Sequence, residues 1–526
     1  MKSEQMSLIN FIDGKKIFYL PVYQRNYAWQ ETQVDRLLDD IENLLSNRQR
    51  HFFGVIVSML EDEYLTLIDG QQRITTAMLF LKALADISEQ EHYKILANDI
   101  VEKYLMTTIK KSKRVKLELL DVDQKNFLAL IDDSRSLNQV KHNPIWQNYL
   151  LCKKRIQNWI RIDKNSPEQI LNAFSKIQIV CLQLNPTEDD PQLIFESINS
   201  TGLELSTADL IRNFLLMGIK PRSEQIRMFN DYWRPIAEKN FRHDSALLNS
   251  FFMHLVTYKT DSTLVTQERI YSIFKQLYDG KNREGVFKEI KRFADFFEAL
   301  TYDTGRYSKQ IQKSINAMIK MKQTTCIPFL FHVFEDFEAG LIDEKTLEKI
   351  LHLLASYYVI TLVCGAVNKG RREFFIRLYA RVFAVESNKS KYFESIKKFI
   401  CTVDNRDRVP SNEDFASTLK NMELFKNKPL CRFILEDLAG IDEIDSRLKL
   451  ITITPNRYEI GNLSLSKYNA SNFSEFENLN ENLDDIEARG DRLTRIFVER
   501  YSIDRNLDPT IVFDVKKPRS KRSFKL

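Results

Sequence analysis

The run Asp69-Gly70-Gln71-Gln72-Arg73 gathers a carboxylate, a conformationally free backbone position, two amides and a guanidinium within five residues. It follows an apolar β-type run, Tyr64 to Ile68, and opens a segment of helical spacing; that placement sets its chemistry. First-turn N–H groups of a helix have no intrahelical acceptor, and with the helix dipole they favour an anion. Gly70 permits a close backbone approach to a phosphate, or a turn with φ > 0. Arg73, within that first turn, can fork onto phosphate oxygens. Asp69 at the strand end can hold a divalent metal or orient a water, and Gln71 and Gln72 offer amides to a water or a base edge. The same string also reads as an ordinary capped helix start with a surface arginine.

Other residues add to this run. Tyr23-Gln24-Arg25-Asn26-Tyr27-Ala28-Trp29 sets a cation and an amide beside two tyrosines and a tryptophan, suited either to stacking a base or to packing a strand edge. His51, before Phe52-Phe53-Gly54, is a further phosphate-contact candidate or an incidental histidine.

The elements that must position these groups follow from periodicity. Lys16 to Tyr23, Phe52 to Leu60 and Tyr64 to Ile68 read as strands, rich in β-branched and aromatic residues. Between the first two, Val34, Leu37, Leu38, Ile41, Leu44 and Leu45 mark an amphipathic helix, and a second runs from about Gln72 to Ile87. From Ile95 to about Ser175 the pattern is helical, with one short strand around Val115 to Leu120; Ile177 to Leu184 reads as a buried strand returning to the first sheet. Thr201-Gly202 reads as a turn, Ser206 as an N-cap, and Asp209 occupies the N3 position after it. Helical spacing then continues to about Lys397, a turn-rich stretch from Val403 to Glu413 follows, and Asp414 to Val515 is mixed. Gly and Pro are scarce, 14 and 13 in 526 residues, so elements are long. The expected fold is mainly α with a small α/β N-terminal domain, a central helical domain and a small mixed C-terminal domain. Expected boundaries are 1–215 (with a helical insertion at about 95–175), 216–402, 403–515, and a tail at 516–526.

Pro21 to Trp29, His51-Phe52-Phe53-Gly54 and Ile68 to Arg73 together resemble the N-terminal domain of GmrSD-type modification-dependent restriction proteins. Phe195 to Asn213, ending Ala208-Asp209-Leu210-Ile211-Arg212-Asn213, is similar to another signature of that family in the expected order. The resemblance covers roughly residues 5 to 215. It implies a ParB/sulfiredoxin-like fold that binds and often hydrolyses nucleoside triphosphates, with hydrolysis regulating DNA cleavage in defence against modified phage DNA. It also implies Asp69, Gln71, Gln72 and Arg73 as active residues, with Gly70, Gln24, Arg25, His51, Asn199 and Arg212 binding the nucleotide. The expected cofactors are GTP or ATP with Mg2+, the metal at Asp69. Expected partners are phage or modified DNA and a separate nuclease or defence subunit, with a homo-oligomer also compatible.

Members of that family often carry an HNH-like nuclease toward the C-terminus. Ile460-Gly461-Asn462-Leu463-Ser464-Leu465 and Tyr468 to Phe473 resemble its later part, but LKLITITPNRY stands at Leu448 to Tyr458, where its histidines belong. The seven histidines end at His352. A finger of this kind needs a histidine base, so residues 414–515 are expected to be a non-cleaving relative. Arg489, Arg492, Arg495 and Arg500 there read either as a nucleic-acid face or as a solvated helix face with Glu487, Asp491 and Glu499.

The last eleven residues hold Lys516, Lys517, Arg519, Lys521, Arg522 and Lys525 without an acid. Those six charges exceed the net charge of +5, so the rest of the chain is near −1. Such a tail either grips DNA phosphates, through Lys516, Lys517, Arg519, Lys521 and Arg522, or is a solubilising end. Six scattered cysteines with no CxxC pair exclude the common zinc spacings. No apolar run of roughly 18 residues and no leader pattern is seen, so a cytoplasmic protein without membrane contact is expected. Three functions compete: a nucleotide-hydrolysing regulator of a restriction system with an inactive nuclease domain, a self-sufficient DNA endonuclease, and a non-catalytic nucleotide- or DNA-binding protein.

Overall fold

Alternating apolar positions in the first ninety residues, and again at Ile177–Leu184, build one sheet in the computed structural model. The structure describes residues 1–46, 50–132, 143–199, 205–261, 265–302, 304–366, 370–402, 408–441, 448–455, 457–467, 479 and 485–513. Two units result, Met1–Trp233 and Arg234–Leu526. The chain is 64% helical, with its sheet at the N-terminal end.

The first unit runs β1 (Lys2–Ser7), α1 (Leu8–Ile12), β2 (Ile17–Tyr19), α2 (Glu31–Ser46), β3 (His51–Glu61), β4 (Tyr64–Asp69) and α3 (Gln71–Gln90). It continues through α4 (Lys94–Ile100), β5 (Met106–Ile109), β6 (Ser112–Val115), β7 (Leu117–Glu118), α5 (Asp121–Ile131), α6 (Pro144–Arg161) and α7 (Pro167–Ser175). It ends with β8 (Ile177–Leu184), α8 (Pro191–Asn199), α9 (Thr207–Leu216) and α10 (Arg222–Met228). The six-stranded sheet has the order β1-β8-β3-β4-β2-β7. β8 lies parallel to β3, β2 parallel to β4 and β7, and the hairpin β3–β4 is antiparallel.

One sheet face presents Phe18, Leu60, Leu65 and Leu67 to the core, where α3 is buried along almost its whole length. A helix apolar on every side belongs inside a protein, which is why α3 begins at the centre of the unit. On the other face Tyr19, Met59 and Thr66 stand level across β2, β3 and β4.

Three strands are absent from the sequence reading. β1, with the sequence KSEQMS, has no apolar alternation and is largely exposed; its pairing with β8 defines it. The helical insertion also contains a hairpin, β5–β6, before β7 joins the main sheet.

The second unit is built of helices and a terminal hairpin. Glu344–Val363 is long and apolar enough to cross a membrane by length and composition, with a mean hydropathy of 1.3, but 72% of that window is buried, as in a core helix. Leu448–Thr452 pairs antiparallel with Leu463–Lys467. The Gly461-Asn462 pair builds this corner. A Cβ at Gly461 would lie 2.2 Å from the Ile486 carbonyl oxygen and 2.9 Å from Gly490 Cα, so only glycine allows the helix Ile486–Tyr501 so close. Asn462 accepts from Thr454 N–H (2.8 Å) and donates to the Thr454 and Arg457 carbonyls (2.7 Å each). Arg489 is completely buried and donates to the carbonyls of Leu479, Gly461 and Leu463; Arg500 pairs with Asp437. These two arginines are therefore internal braces, neither a nucleic-acid face nor a solvated one. The tail 516–526, with Lys516, Lys517, Arg519, Lys521 and Arg522, lies outside the described residues, as do Tyr468–Phe473.

Candidate functional site

The junction of β4 and α3 turns on Gly70, which is left-handed (φ 96°, ψ 6°) at the helix N-cap. A Cβ there would lie 2.9 Å from Ile56 Cγ1 and 3.3 Å from Ile56 Cα. The first intrahelical bond runs from Ile74 N–H to the Gly70 carbonyl (3.0 Å), which leaves the amides of Gln71, Gln72 and Arg73 directed out of the helix start.

The loop 23–29 wraps around this start and is braced from several sides. Gln24 Nε2 donates to the Ile68 carbonyl (2.8 Å), immediately before Asp69. Gln72 Oε1 accepts from Ala28 N–H (2.8 Å) and Trp29 N–H (3.3 Å), while its Nε2 donates to the Asn26 carbonyl (3.2 Å). Asp123 accepts from Tyr27 N–H (2.6 Å), and Asn148 donates to Tyr27 Oη (3.1 Å) and the Trp29 carbonyl (2.8 Å). Arg212, on α9, donates from Nε to the Tyr23 carbonyl (2.8 Å) and pairs with Asp209 (2.8 Å). Ser206 caps α9, accepting from Asp209 N–H (3.1 Å).

These braces bring Arg25 beside the helix start, between Gln24 and Asn26, and within electrostatic reach of Arg212. Burial pushes the Arg212 guanidinium below its ordinary value, Asp209 opposes this, and Arg25 adds to it. Arg25 Nε is itself buried and has no hydrogen-bond partner. Arg212 therefore has a carboxylate partner, Asp209, whereas Arg25 makes no ion pair among the described residues.

Arg73 and His51 are placed differently. The Arg73 guanidinium lies over Gly54, whose missing Cβ would be 3.2 Å from Nε. It donates to the Val55 carbonyl (2.7 Å) and pairs with Asp69 (3.4 Å), with 29% of its side chain exposed. His51 pairs with Asp40 (3.0 Å) at the start of β3, roughly 10 Å along the strand from Gly54 at about 3.3 Å per residue. Gln71 is nearly buried. Asn199 ends α8, and its side chain lies outside what is described. Among the described residues no group of three His, Cys, Asp or Glu is arranged to hold a metal, and all six cysteines are free. Asp123 and Asn148, which hold the loop, carry no local signal; their partners are about a hundred residues away in sequence.

A mixed six-stranded sheet packed against helices makes the first unit an α/β domain. Residues 8–216 match the family model of the GmrSD restriction endonuclease N-terminal domain, so this part of the chain carries a domain of the restriction-protein type. An uncharacterized protein of Methanocaldococcus jannaschii is 24% identical over 260 residues, covering 43% of this chain and 43% of that protein. The chain therefore spans less than half the length of this curated relative.

Proposed function

We propose that the first unit binds the phosphates of a nucleoside triphosphate between Arg25, Arg212 and the first turn of α3, and that this binding regulates action on DNA in a restriction system. The observation that carries the reading is Arg25, a guanidinium with a buried, unpartnered Nε held beside a second arginine. A buried N–H donor without an acceptor is unfavourable, and a phosphate oxygen would satisfy it while meeting the first-turn amides. Gln24, Gln72 and Arg73 act as positioning residues, because their polar atoms are engaged with backbone and with Asp69. In this reading Asp69, which also pairs with Arg73, and the buried Gln71 would meet the ligand and its attacking water, in a ParB-like arrangement. A single carboxylate suits Mg2+, which keeps waters and takes its other ligands from phosphate; the metal would supply charge neutralisation. Asp69 would hold it, since Asp209, the other carboxylate described near the corner, is paired with Arg212.

Residues 414–515 fit a non-cleaving role. The chain has no histidine beyond His352, and Gly461 and Asn462 serve packing and loop closure. The proposed activity is thus nucleotide binding and turnover, with DNA cleavage supplied by a separate subunit.

All four tryptophans (Trp29, Trp146, Trp159, Trp233) lie in the first unit, so tryptophan fluorescence follows its unfolding selectively. Tripolyphosphate or nucleoside triphosphate at a hundredfold its Kd is expected to stabilise this unit by about 2.7 kcal/mol, and Arg25→Ala is expected to abolish the effect. Full stabilisation retained in Arg25→Ala overturns the assignment. Phosphate release by wild-type protein, absent in Asp69→Asn, tests turnover separately.

A further inference from the structure

The sheet face opposite α3 encloses a second feature that the phosphate corner does not use. A cavity of about 230 Å3 lies between β2, β3 and β4 and the residues 186–191 and 217–225. Its polar lining comes from Tyr19, Tyr23, Glu61, Thr66, Lys220, Arg222 and Gln225, and its apolar walls include Pro21, Met59, Met217 and Ile219. Thr66 donates its hydroxyl to Glu61 Oε2 (3.0 Å), which orients the carboxylate. Tyr19 is 7% exposed; burial pushes its phenol up, and Arg222, close enough to hydrogen-bond its hydroxyl, opposes this. The Arg222 guanidinium is part of the wall: it lies 3.3 Å from the Tyr19 ring centroid and 4.5 Å from that of Tyr64, and pairs with Glu118 (3.2 Å).

We propose that this cavity is a nucleobase subsite selective for an edge with adjacent N–H donors, as on guanine; the inference rests on the phosphate reading above. Four observations support it. The volume is below the roughly 300 Å3 at which drug-sized ligands begin to fit, so it takes one ring system and not a whole nucleotide. The wall of proline, methionine and tyrosine suits a flat ring. Glu61 is an acceptor-only group whose second oxygen has no partner among the described residues, and carboxylate oxygens keep lone pairs for two parallel donors. Finally, Tyr23 belongs to both places. Its side chain lines the cavity, and its carbonyl holds Arg212 of the phosphate corner. Thr66 and Asp69 lie about 10 Å apart along one strand with their side chains on opposite faces, so a nucleotide would have to pass around the end of β4 to reach both sites.

Burial, with Tyr19 and Glu61 nearby, holds the Tyr23 phenol protonated, so the phenols act as hydrogen-bond donors toward the base carbonyl while Glu61 takes the N–H edge. Adenine offers one amino group beside ring acceptors and leaves Glu61 poorly matched. A site built on polar partners rejects a mismatched analogue strongly, so a preference for GTP over ATP of at least about tenfold is expected.

Titration calorimetry on the full chain tests this with four probes: GTP, ATP, tripolyphosphate and guanosine. Wild type is expected to prefer GTP, Glu61→Gln to lose that preference and guanosine binding while keeping tripolyphosphate, and Arg25→Ala to lose tripolyphosphate while keeping guanosine. Thr66→Val, which releases the carboxylate from its hydroxyl, serves as a milder second variant and is expected to reduce the preference; tryptophan fluorescence checks that each variant is folded. Equal binding of GTP and ATP, or a preference untouched by Glu61→Gln, overturns the base subsite and leaves the phosphate site standing if tripolyphosphate still binds. Guanosine binding that depends on Glu61 without any tripolyphosphate binding overturns the phosphate reading and supports the cavity. Binding of none of the four probes overturns both.

Discussion

Replacing Gly70 by alanine tests the turn on which the candidate site depends. The substitution adds one methyl group, and two separate costs follow. The first is backbone strain: at φ 96° an L-residue costs on the order of 1–2 kcal/mol. The second is contact. The new Cβ would stand 2.9 Å from Ile56 Cγ1 and 3.3 Å from Ile56 Cα, a central strand position that cannot retreat, and such overpacking costs about 1–3 kcal/mol. Gly14 provides the control, because its φ is +105° but nothing lies within 4 Å of its Cβ position. For a unit of this size each kcal/mol lowers Tm by about 2–4 °C. Mid-range values give a loss of about 10 °C for Gly70→Ala and about 4 °C for Gly14→Ala. Thermal unfolding followed by tryptophan fluorescence reads the first unit alone. Equal losses in the two variants would show that α3 does not start pressed against Ile56, and an unchanged Gly70→Ala would remove the left-handed turn from the argument.

Three other outcomes are expected. Arg25→Met should leave the stability of the first unit within about 0.5 kcal/mol of wild type while removing anion binding, whereas Arg212→Met, which strands Asp209 and the Tyr23 carbonyl, should cost about 1–3 kcal/mol; urea unfolding separates the two. Gln72→Leu leaves two amides and one carbonyl of the loop without partners and should cost about 3 kcal/mol or more, while Gln72→Glu, which keeps the acceptor, should cost less than half of that; a smaller loss in the leucine variant would contradict the brace. In the second unit burial pushes His254 down to about 3, and Arg372 acts in the same direction. The unfolded chain therefore takes up the proton first as pH falls below 6.5, so the stability from neutral His254 is complete above 6.5 and declines by about 1.4 kcal/mol per pH unit down to about 3. Hydrogen exchange in that unit at pH 7 and pH 5 should differ by about 2 kcal/mol in wild type, and His254→Leu should flatten that difference; an identical slope in the variant would assign it to other groups.

Much of the fold was legible because residue period and burial coincide. Val34 to Leu44 line one side of α2, and Tyr64–Asp69 and Ile177–Leu184 form strands where alternating or continuous apolar runs require them. β1 was not legible: its side chains are mostly solvated, and its conformation comes from a partner about 180 residues away. At the candidate site the motifs were visible as residue types, but types do not show which way a side chain turns. Gln72 has the same amide whether it meets a water or a loop, and only coordinates place it on Asn26, Ala28 and Trp29. Gly54 was part of a motif without a physical reason until the Arg73 guanidinium was seen lying on it. The cavity had no linear signal, since Tyr19, Met59 and Thr66 become neighbours only through strand register.

The paired amides of Gln24 and Gln72 have a kinetic consequence. One ties the loop to the last strand bond before Asp69 and the other ties it to the first turn of α3, so the segment carrying Arg25 is splinted at both ends before any ligand arrives. A cation presented on a fixed backbone has only its own side-chain freedom to lose at encounter, and capture should proceed as a single fast step with little change in the shape of the domain.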